Sequence, residues 1–228
     1  MNRSLVPRVV AFDVIETLFS LQPVRERLVE IGLPAQSLEV WFGSSLRDAF
    51  ALATTEKYAP FEQLLSGSLE ELLAEAGRAA SADELKRVLG AMSELTIHPD
   101  VQGAFEVLRD AGIPIMALSN GSKIQTEKLL ARANLSELVE FVVSTDEVQR
   151  FKPHHAVYQH AVQVAGVSPH EMALVAAHGW DVHGAKCAGL CAGWIKRREQ
   201  RLPKVFEHPE AGGDTLGEVV RTLLQLRA

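Results

Sequence analysis

The chain has 228 residues, of which 47% are hydrophobic and 23% are charged, which is typical of a soluble globular protein with a substantial core. This length predicts one large domain, or a main domain with a smaller insertion. The net charge of −6 disfavours a nucleic-acid surface, and no apolar run reaches the ~20 residues of a membrane-spanning helix. The densest basic run, Lys196-Arg197-Arg198, is expected at the solvated edge of a loop. Nucleic acids and membranes are therefore not expected partners.

The two cysteines, Cys187 and Cys191, are four residues apart and do not form a disulfide framework. Since no cluster of Cys and His completes a zinc site, a reducing cytoplasm is the expected location. The first predicted strand begins near the N-terminus, which leaves no room for a signal peptide.

The chain is organised around the stretch from Val9 to Phe19. Its apolar run, Val9 to Val14, predicts a buried strand of a parallel sheet, and Asp13 stands at the end of that run. Ligands of open α/β sheets bind beyond the carboxyl ends of the strands. Asp13 is therefore placed to act as a nucleophile or metal ligand. An aspartate that only ends the strand is the alternative.

The next part of the chain, up to about Ile97, is predicted to be helical almost throughout. Pro23 suits the first turn of a helix, Leu38–Ala53 has helical apolar spacing, and Ser81 with Glu84 forms a capping box. This block of roughly 75 residues contains no convincing strand, so it predicts an inserted helical subdomain.

From His98 onward, helices alternate with short apolar strands. This alternation predicts an α/β fold, with a parallel sheet covered by helices on both faces. A last helix is predicted over 216–226. The predicted strands are Ile113–Leu118, Phe141–Val143, Met172–Ala177 and, as the last main strand, Leu190–Ile195.

Polar residues follow the predicted ends of four strands, and the ends of parallel strands share one edge of the sheet. A carboxylate nucleophile needs a nearby cation, which Lys152 can supply, and Ser119 can donate to an oxyanion. The ordinary alternatives are a surface lysine, a Ser-Asn-Gly turn and, for Asp181, a helix N-cap. The joint pattern favours catalysis. These residues are Asp13 and Thr17, Ser119 and Asn120, Lys152, and Asp181.

With these residues, the chain resembles the haloacid dehalogenase (HAD) superfamily over nearly its whole length. The resemblance implies a Rossmann-like core of residues 1–20 and 98–228 and a helical C1-type cap of residues 21–97. The four motifs stand as Asp13-Val14-Ile15-Glu16-Thr17, Ser119 within Leu118–Ser122, Lys152 before Pro153, and Asp181 leading into Gly184-Ala185.

Two departures from the phosphatases of the superfamily indicate its L-2-haloacid dehalogenase branch. Those phosphatases carry a general acid where this chain has Ile15, and a magnesium-binding aspartate where it has Ala177. Glu16 is adjacent, but alternation along an extended segment predicts that its side chain points the opposite way from that of Ile15. The resemblance therefore implies an enzyme that uses no cofactor.

Two other positions depart from the dehalogenase branch itself. The cap arginine that helps abstract halide is replaced by Phe42, and Arg47 lies more than one turn further along the helix. Where the branch tends to show Ser-x-Asn, this chain has Ala176-Ala177-His178. We expect His178 to bind water or substrate, and packing beneath the cap is the alternative.

The resemblance implies that Asp13 displaces halide from a short carboxylic acid and forms an ester, while Lys152 keeps Asp13 ionised and Asp181 aligns or deprotonates the hydrolytic water. The expected substrate-binding residues are Ser119, Asn120, the backbone near Val14, His178, and Trp41 and Phe42 with Phe61 in the cap.

Two other functions stay open. One is a small-molecule phosphatase that depends only weakly on Mg²⁺ and uses Glu16 or His178 as its acid. The other is a non-catalytic binding module, which joint retention of Asp13, Lys152 and Asp181 disfavours. The oligomeric state is also open, since related enzymes often form homodimers.

Overall fold

A parallel sheet lies at the centre of the computed structural model, which describes residues 6–226. The strands are β1 (Val9–Asp13), β2 (Phe19–Ser20), β3 (Thr96–Ile97), β4 (Ile115–Ser119), β5 (Phe141–Ser144), β6 (Met172–Ala176), β7 (Cys191–Ile195) and β8 (Ala211–Gly213). Within the described residues, six of them form one sheet in the order β5-β4-β1-β6-β7-β8, with all pairs parallel. The separate β2 and β3 pair antiparallel.

The helices that cover the sheet and fill the insertion follow in chain order. They are α1 (Gln22–Glu30), α2 (Ser37–Thr54), α3 (Phe61–Glu75), α4 (Ala82–Gly90), α5 (Val101–Asp110), α6 (Lys123–Arg132), α7 (His155–Ala165), α8 (Gly179–Cys187) and α9 (Leu216–Leu224). Between residues 6 and 226, no helix is both long and apolar enough to cross a membrane.

Strand β1 occupies the middle of the sheet, between β4 and β6, and all five of its residues are buried. Because side chains alternate between the faces of a strand, Phe12 packs on one face against Phe105 of α5, with ring centroids 5.0 Å apart. Ala11 belongs to the cluster on the opposite face, with Tyr158 of α7. The predicted α/β architecture is therefore confirmed.

Register brings the predicted site to one edge of the sheet. Asp13 is paired with Leu118, so Asp13 and Ser119 end neighbouring strands at nearly the same height. The carboxyl end of β6, at Ala176, lies on the other side of β1.

Helices α1–α4 form the cap over this edge, between β2 and β3. Helix α2 packs on α3, where the buried indole of Trp41 donates a 2.8 Å hydrogen bond to the carbonyl of Leu65. Ser81 and Glu84 form the predicted capping box, and Pro23 lies in the first turn of α1. The proposed bounds of the cap, residues 21–97, stay a prediction.

Three details of the predicted secondary structure were wrong. The helical block ends in a short strand, β3, and β8 extends the sheet beyond the strand that was expected to be the last. Strand β8 has the sequence Ala-Gly-Gly, which carries no alternation of apolar side chains, so periodicity could not find it. Asp181 is not an N-cap, since it lies inside the first turn of α8 and His178 occupies the N-cap position.

Candidate active site

Lys152 lies between the two carboxylates that the sequence singled out. Its Nζ is 2.7 Å from Oδ1 of Asp13, at the end of β1, and 2.7 Å from Oδ2 of Asp181, in α8. It also donates to the carbonyl of Leu118 at 3.1 Å. Lys152 and Asp181 are fully buried, and Asp13 is 5% exposed. The three charged groups form one ion-pair cluster.

The charges within this cluster depend on one another. Burial alone would raise the pKa of Asp13, but the Lys152 ammonium and His178 bring it well below its usual range. Burial likewise opposes the charge on Lys152, yet Asp13 and Asp181 raise its pKa. Burial, with the nearby charge of Asp13, raises the pKa of Asp181 despite its contact with Lys152. Asp13 is therefore an ionised carboxylate at neutral pH.

Two predicted residues hold this cluster in place. The hydroxyl of Thr17 donates to Oδ2 of Asp13 at 2.7 Å and accepts from the backbone N–H of Ala177 at 2.9 Å. The side-chain oxygen of Asn120 accepts from the backbone N–H of Lys152 at 3.0 Å. Thr17 therefore orients the Asp13 carboxylate, while Asn120 fixes the loop that carries the lysine.

Tyr158 is a site residue that the sequence did not predict. Its hydroxyl donates to Oδ1 of Asp181 at 2.6 Å, and the side chain is fully buried. Both oxygens of Asp181 are thus hydrogen-bonded, one to Lys152 and the other to Tyr158. In the sequence, a tyrosine on an amphipathic helix indicates only core packing, so no local signal could have found it.

His178 lies against the Asp13 carboxylate. Its Nδ1 is 3.4 Å from Oδ2 of Asp13, and its Nε2 is 3.0 Å from Oε2 of Glu16. The prediction that the Glu16 side chain points the opposite way from that of Ile15 assumed an extended chain, and this assumption was wrong. Glu16 has φ of +66°, in the left-handed region, and its side chain reaches His178. The imidazole stacks on Trp180, with ring centroids 5.3 Å apart.

The basic run near the C-terminal end of β7 also departs from its prediction. Arg198 donates to Oε1 of Glu16 at 2.6 Å. The half-buried Arg197 donates to the carbonyl of Thr17 at 2.9 Å and to Asp100 at 2.8 Å. These two arginines therefore anchor the first motif loop, while Lys196 and Arg198 are both exposed, as expected for a solvated edge.

A cavity of about 410 Å³ opens beside the cluster, between the cap and the core. Asp13 itself does not line it, but Ile15 and Ser119 do, two residues after the nucleophile and at the end of the neighbouring strand. The wall is largely apolar and includes Phe61 from the cap. The size suits a small molecule. The Oγ of Ser119 accepts from the backbone N–H of Gly121 at 2.9 Å, so its own proton is left to donate.

The sequence raised a possible site role for four other residues. Phe42 is buried against His178 and Phe61, each with ring centroids 6.3 Å away. Trp41 is enclosed within the cap and does not line the cavity. The carbonyl of Val14 accepts hydrogen bonds within the tight turn after β1. Arg47 is largely exposed and pairs with acidic residues of the cap, so it does not supply the missing arginine.

The magnesium position of the phosphatases is occupied by Ala177, whose backbone groups bind Thr17 and Trp194. Across residues 6–226, no three His, Cys, Asp or Glu side chains are grouped so as to hold a metal ion. The positive charge between Asp13 and Asp181 is instead the ammonium of Lys152.

Comparison with known proteins places this arrangement in a family. The family model described as haloacid dehalogenase-like hydrolase matches residues 7–189. The chain belongs to the haloacid dehalogenase-like hydrolases. Among relatives, (S)-2-haloacid dehalogenase 1 of Pseudomonas sp. (strain CBS-3) is 30% identical over 221 residues, which cover 96% of this chain and 97% of that one.

Solved structures of the same family share the whole architecture. The L-2-haloacid dehalogenase from Xanthobacter autotrophicus superposes with a TM-score of 0.88 at 26% identity, covering 96% of this chain and 99% of that chain. A structure of the L-2-haloacid dehalogenase from Xanthobacter autotrophicus with chloropropionic acid covalently bound has a TM-score of 0.87 at 26% identity, over 96% and 99% of the two chains. The HAD fold is therefore shown along the length of the chain.

Proposed function

We propose that this hydrolase releases halide from small 2-haloacids through an ester of Asp13. The observation that carries the proposal is the ionised Asp13 carboxylate, held by Lys152 beside an apolar cavity in which Ile15 takes the place of a general acid. Halide departs as an anion and needs no proton, so an aliphatic side chain at this position is compatible with dehalogenation. An alkoxide leaving group would need a proton donor there.

In the first step, a carboxylate oxygen of Asp13 attacks the carbon that bears the halogen. The carbon–oxygen bond forms as the carbon–halogen bond breaks, and halide takes the bonding electrons. Lys152 and Thr17 hold the attacking carboxylate in a fixed orientation, so little reorganisation is needed. In the second step, water adds to the ester carbonyl, which releases the 2-hydroxyacid and restores Asp13.

Ser119 is the residue best placed to bind the carboxylate of the substrate. It lies at the cavity wall, is 2% exposed, and keeps a hydroxyl proton for donation. Backbone N–H groups near Val14 are its proposed partners. Phe61 and Phe42 close the cap side and exclude bulk water, which strengthens these interactions.

The names of the relatives support the same chemistry. The Pseudomonas relative is a (S)-2-haloacid dehalogenase, and the Xanthobacter structure holds chloropropionic acid covalently. The phosphatase alternative loses support at two positions, since neither Ile15 nor Ala177 has a side chain that can donate a proton or bind Mg²⁺. A non-catalytic binding module would not need an ionised Asp13 carboxylate paired with Lys152, so that alternative also loses support.

The test is halide release from chloroacetate, L-2-chloropropionate and fluoroacetate in the presence of EDTA. We expect the wild-type protein to release halide with or without EDTA, and Asp13→Asn to fold but release none. Halide release by Asp13→Asn would overturn the assignment of Asp13 as the nucleophile. Hydrolysis of phosphate esters with Mg²⁺, in place of halide release, would establish the phosphatase.

Two further expectations accompany this function. A cytoplasmic location and a homodimeric state stay predictions, which fractionation of the native host and sedimentation of the purified protein measure directly.

A further inference from the structure

A nucleophile, a histidine and a second acid stand in line at the edge of the sheet. His178 faces Asp13 through Nδ1 at 3.4 Å and Glu16 through Nε2 at 3.0 Å. The Nδ1 atom is buried and makes no hydrogen bond to any residue in the range 6–226. A ring nitrogen without a hydrogen bond therefore faces the Asp13 carboxylate, on which the ester forms.

The orientation of the imidazole is fixed from three sides. Trp180 stacks on one face of the ring, and Phe42 of the cap lies 6.3 Å away. Glu16 accepts from Nε2 and is itself held by Arg198 at 2.6 Å. Because the carboxylate of Glu16 fixes a proton on Nε2, the neutral form of His178 presents the lone pair of Nδ1 to Asp13.

Asp181 is poorly placed to take a proton from water. It is fully buried, one oxygen accepts from Lys152, and the other accepts from the hydroxyl of Tyr158. Lys152 is a protonated ammonium group that lies between two carboxylates. The hydroxyl of Thr17 already donates to Asp13 and accepts from the backbone N–H of Ala177. Of the groups that the described chain places against Asp13, His178 alone has a nitrogen without a hydrogen bond, and this nitrogen can accept a proton once the ring is neutral.

We propose that His178 is the general base that activates the water which hydrolyses the Asp13 ester, with Glu16 as its positioning residue. This proposal rests on the proposed function and assigns the second step of that reaction. The water oxygen adds to the ester carbonyl while its proton passes to Nδ1 of His178. The tetrahedral intermediate then expels the alkoxide of the 2-hydroxyacid, which takes the second proton of the added water, and the Asp13 carboxylate returns.

The charge of the site changes in the direction that this step needs. In the resting protein, burial opposes a charge on His178, but contacts with Asp13 and Glu16 raise its pKa to about 10. Ester formation removes the negative charge of Asp13, which lowers that pKa. The proton then leaves His178 and accounts for the proton that dehalogenation releases overall. Three other charged groups contact the neighbours of His178. Lys152 lies over the Trp180 ring, Arg198 pairs with Glu16, and Glu199 accepts from the backbone N–H of Gly179.

The experiment mixes L-2-chloropropionate rapidly with the wild type and with His178→Asn, and follows both released halide and the mass of the peptide that contains Asp13. We expect His178→Asn to release about one halide per active site in a burst and then to stall, because the ester forms but is not hydrolysed. The steady rate should fall ~10²–10⁴-fold, as for loss of a general base. The ester should be found on Asp13.

Two variants and one control complete the test. His178→Gln repeats the change with a longer amide, in case His178→Asn folds poorly. Glu16→Gln should accumulate less ester than His178→Asn, and its rate should have a shifted pH profile, which a merely structural role would not produce. His160→Asn removes a similar His–Glu pair, with Glu147 at 2.8 Å, and should react like the wild type.

The possible failures are distinct. Steady turnover by His178→Asn and His178→Gln without ester would overturn the proposal and leave water activation to Asp181. Loss of the burst itself would also overturn it, and would place His178 in the first step as the cation that receives halide. Absence of halide release from the wild type contradicts the proposed function instead.

Discussion

The hydroxyl of Tyr158 donates a 2.6 Å hydrogen bond to Oδ1 of Asp181, and both side chains are fully buried. Because the other oxygen of Asp181 binds Lys152, Tyr158 indirectly fixes the cation that faces the nucleophile. Tyr158→Phe leaves one buried carboxylate oxygen without a donor, which costs about 1–3 kcal/mol. We expect a lower free energy of unfolding and a lower kcat with KM nearly unchanged, since Tyr158 does not line the cavity. Wild-type values of stability and kcat would contradict this account.

Gly184 makes the approach of Tyr158 possible. A Cβ atom at this position would lie 2.5 Å from Pro153 and 2.5 Å from the hydroxyl of Tyr158. Gly184→Ala therefore displaces packed groups next to Lys152, and we expect it to destabilise the protein by about 1–3 kcal/mol in urea unfolding.

The matched control for that substitution is Gly103→Ala, which also lies in a helix. Apart from its own helix backbone and chain neighbours, no heavy atom of residues 6–226 lies within 4 Å of the added methyl group. Removal of a glycine from a helix interior should stabilise the protein by about 0.5–1 kcal/mol. Similar effects of the two substitutions would show that the contact at Gly184 is unimportant.

Replacement of Lys152 by methionine removes the charge that two buried carboxylates share. Such an uncompensated site costs about 3–5 kcal/mol, so we expect Lys152→Met to be strongly destabilised as well as inactive. Differential scanning calorimetry measures the first effect and halide release the second. The exposed Lys128→Met serves as the control, with an expected change within about 0.5 kcal/mol. Equal stability of the two variants would refute the shared-cation role.

His178 should make the stability of the protein depend on pH. Its pKa in the folded chain, about 10, lies above the unfolded value of about 6.5. Its stabilising contribution is therefore complete below about pH 6.5 and is lost progressively as pH rises through about 10.

The measurement compares the free energy of unfolding of the wild type with that of His178→Asn between pH 6 and 10. The difference between the two should be largest at pH 6 and should shrink toward pH 10. Asp13 and Glu16, whose pKa values are lowered, are ionised throughout this range and do not alter the trend. A difference that stays constant over the range would mean that His178 is neutral in the folded protein.

The sequence predicted the parts of the site that depend on strand ends. Buried strands of a parallel sheet appear as short apolar runs, which predict that Asp13 and Ser119 follow strand ends at one edge of the sheet. The structure places them at the ends of two strands that are paired directly. Lys152 and Asp181 followed because loops at one edge of such a sheet converge. These inferences rest on backbone periodicity, which a single sequence carries.

The residues that the sequence did not predict act through long-range contacts or local backbone turns. Tyr158 and Arg198 reach their partners across 23 and 182 positions of the chain, and no pattern in one sequence reports such a pair. The contact of Glu16 with His178 does not follow from alternation, because the positive φ of Glu16 departs from an extended segment. Strand β8 is not predicted by periodicity, because its two glycines have no side chains to alternate between the faces of the sheet.

Arg198 also contacts Glu39 of α2, at 3.4 Å, in addition to Glu16. One side chain therefore joins the cap to the loop that carries the nucleophile, with unequal strength on the two sides. The contact with Glu39 is long and partly exposed, so its loss costs at most about 1 kcal/mol. The contact with Glu16 is short and its acidic partner is buried. Loss of the Glu39 contact alone would therefore leave the histidine and its acid assembled on the core.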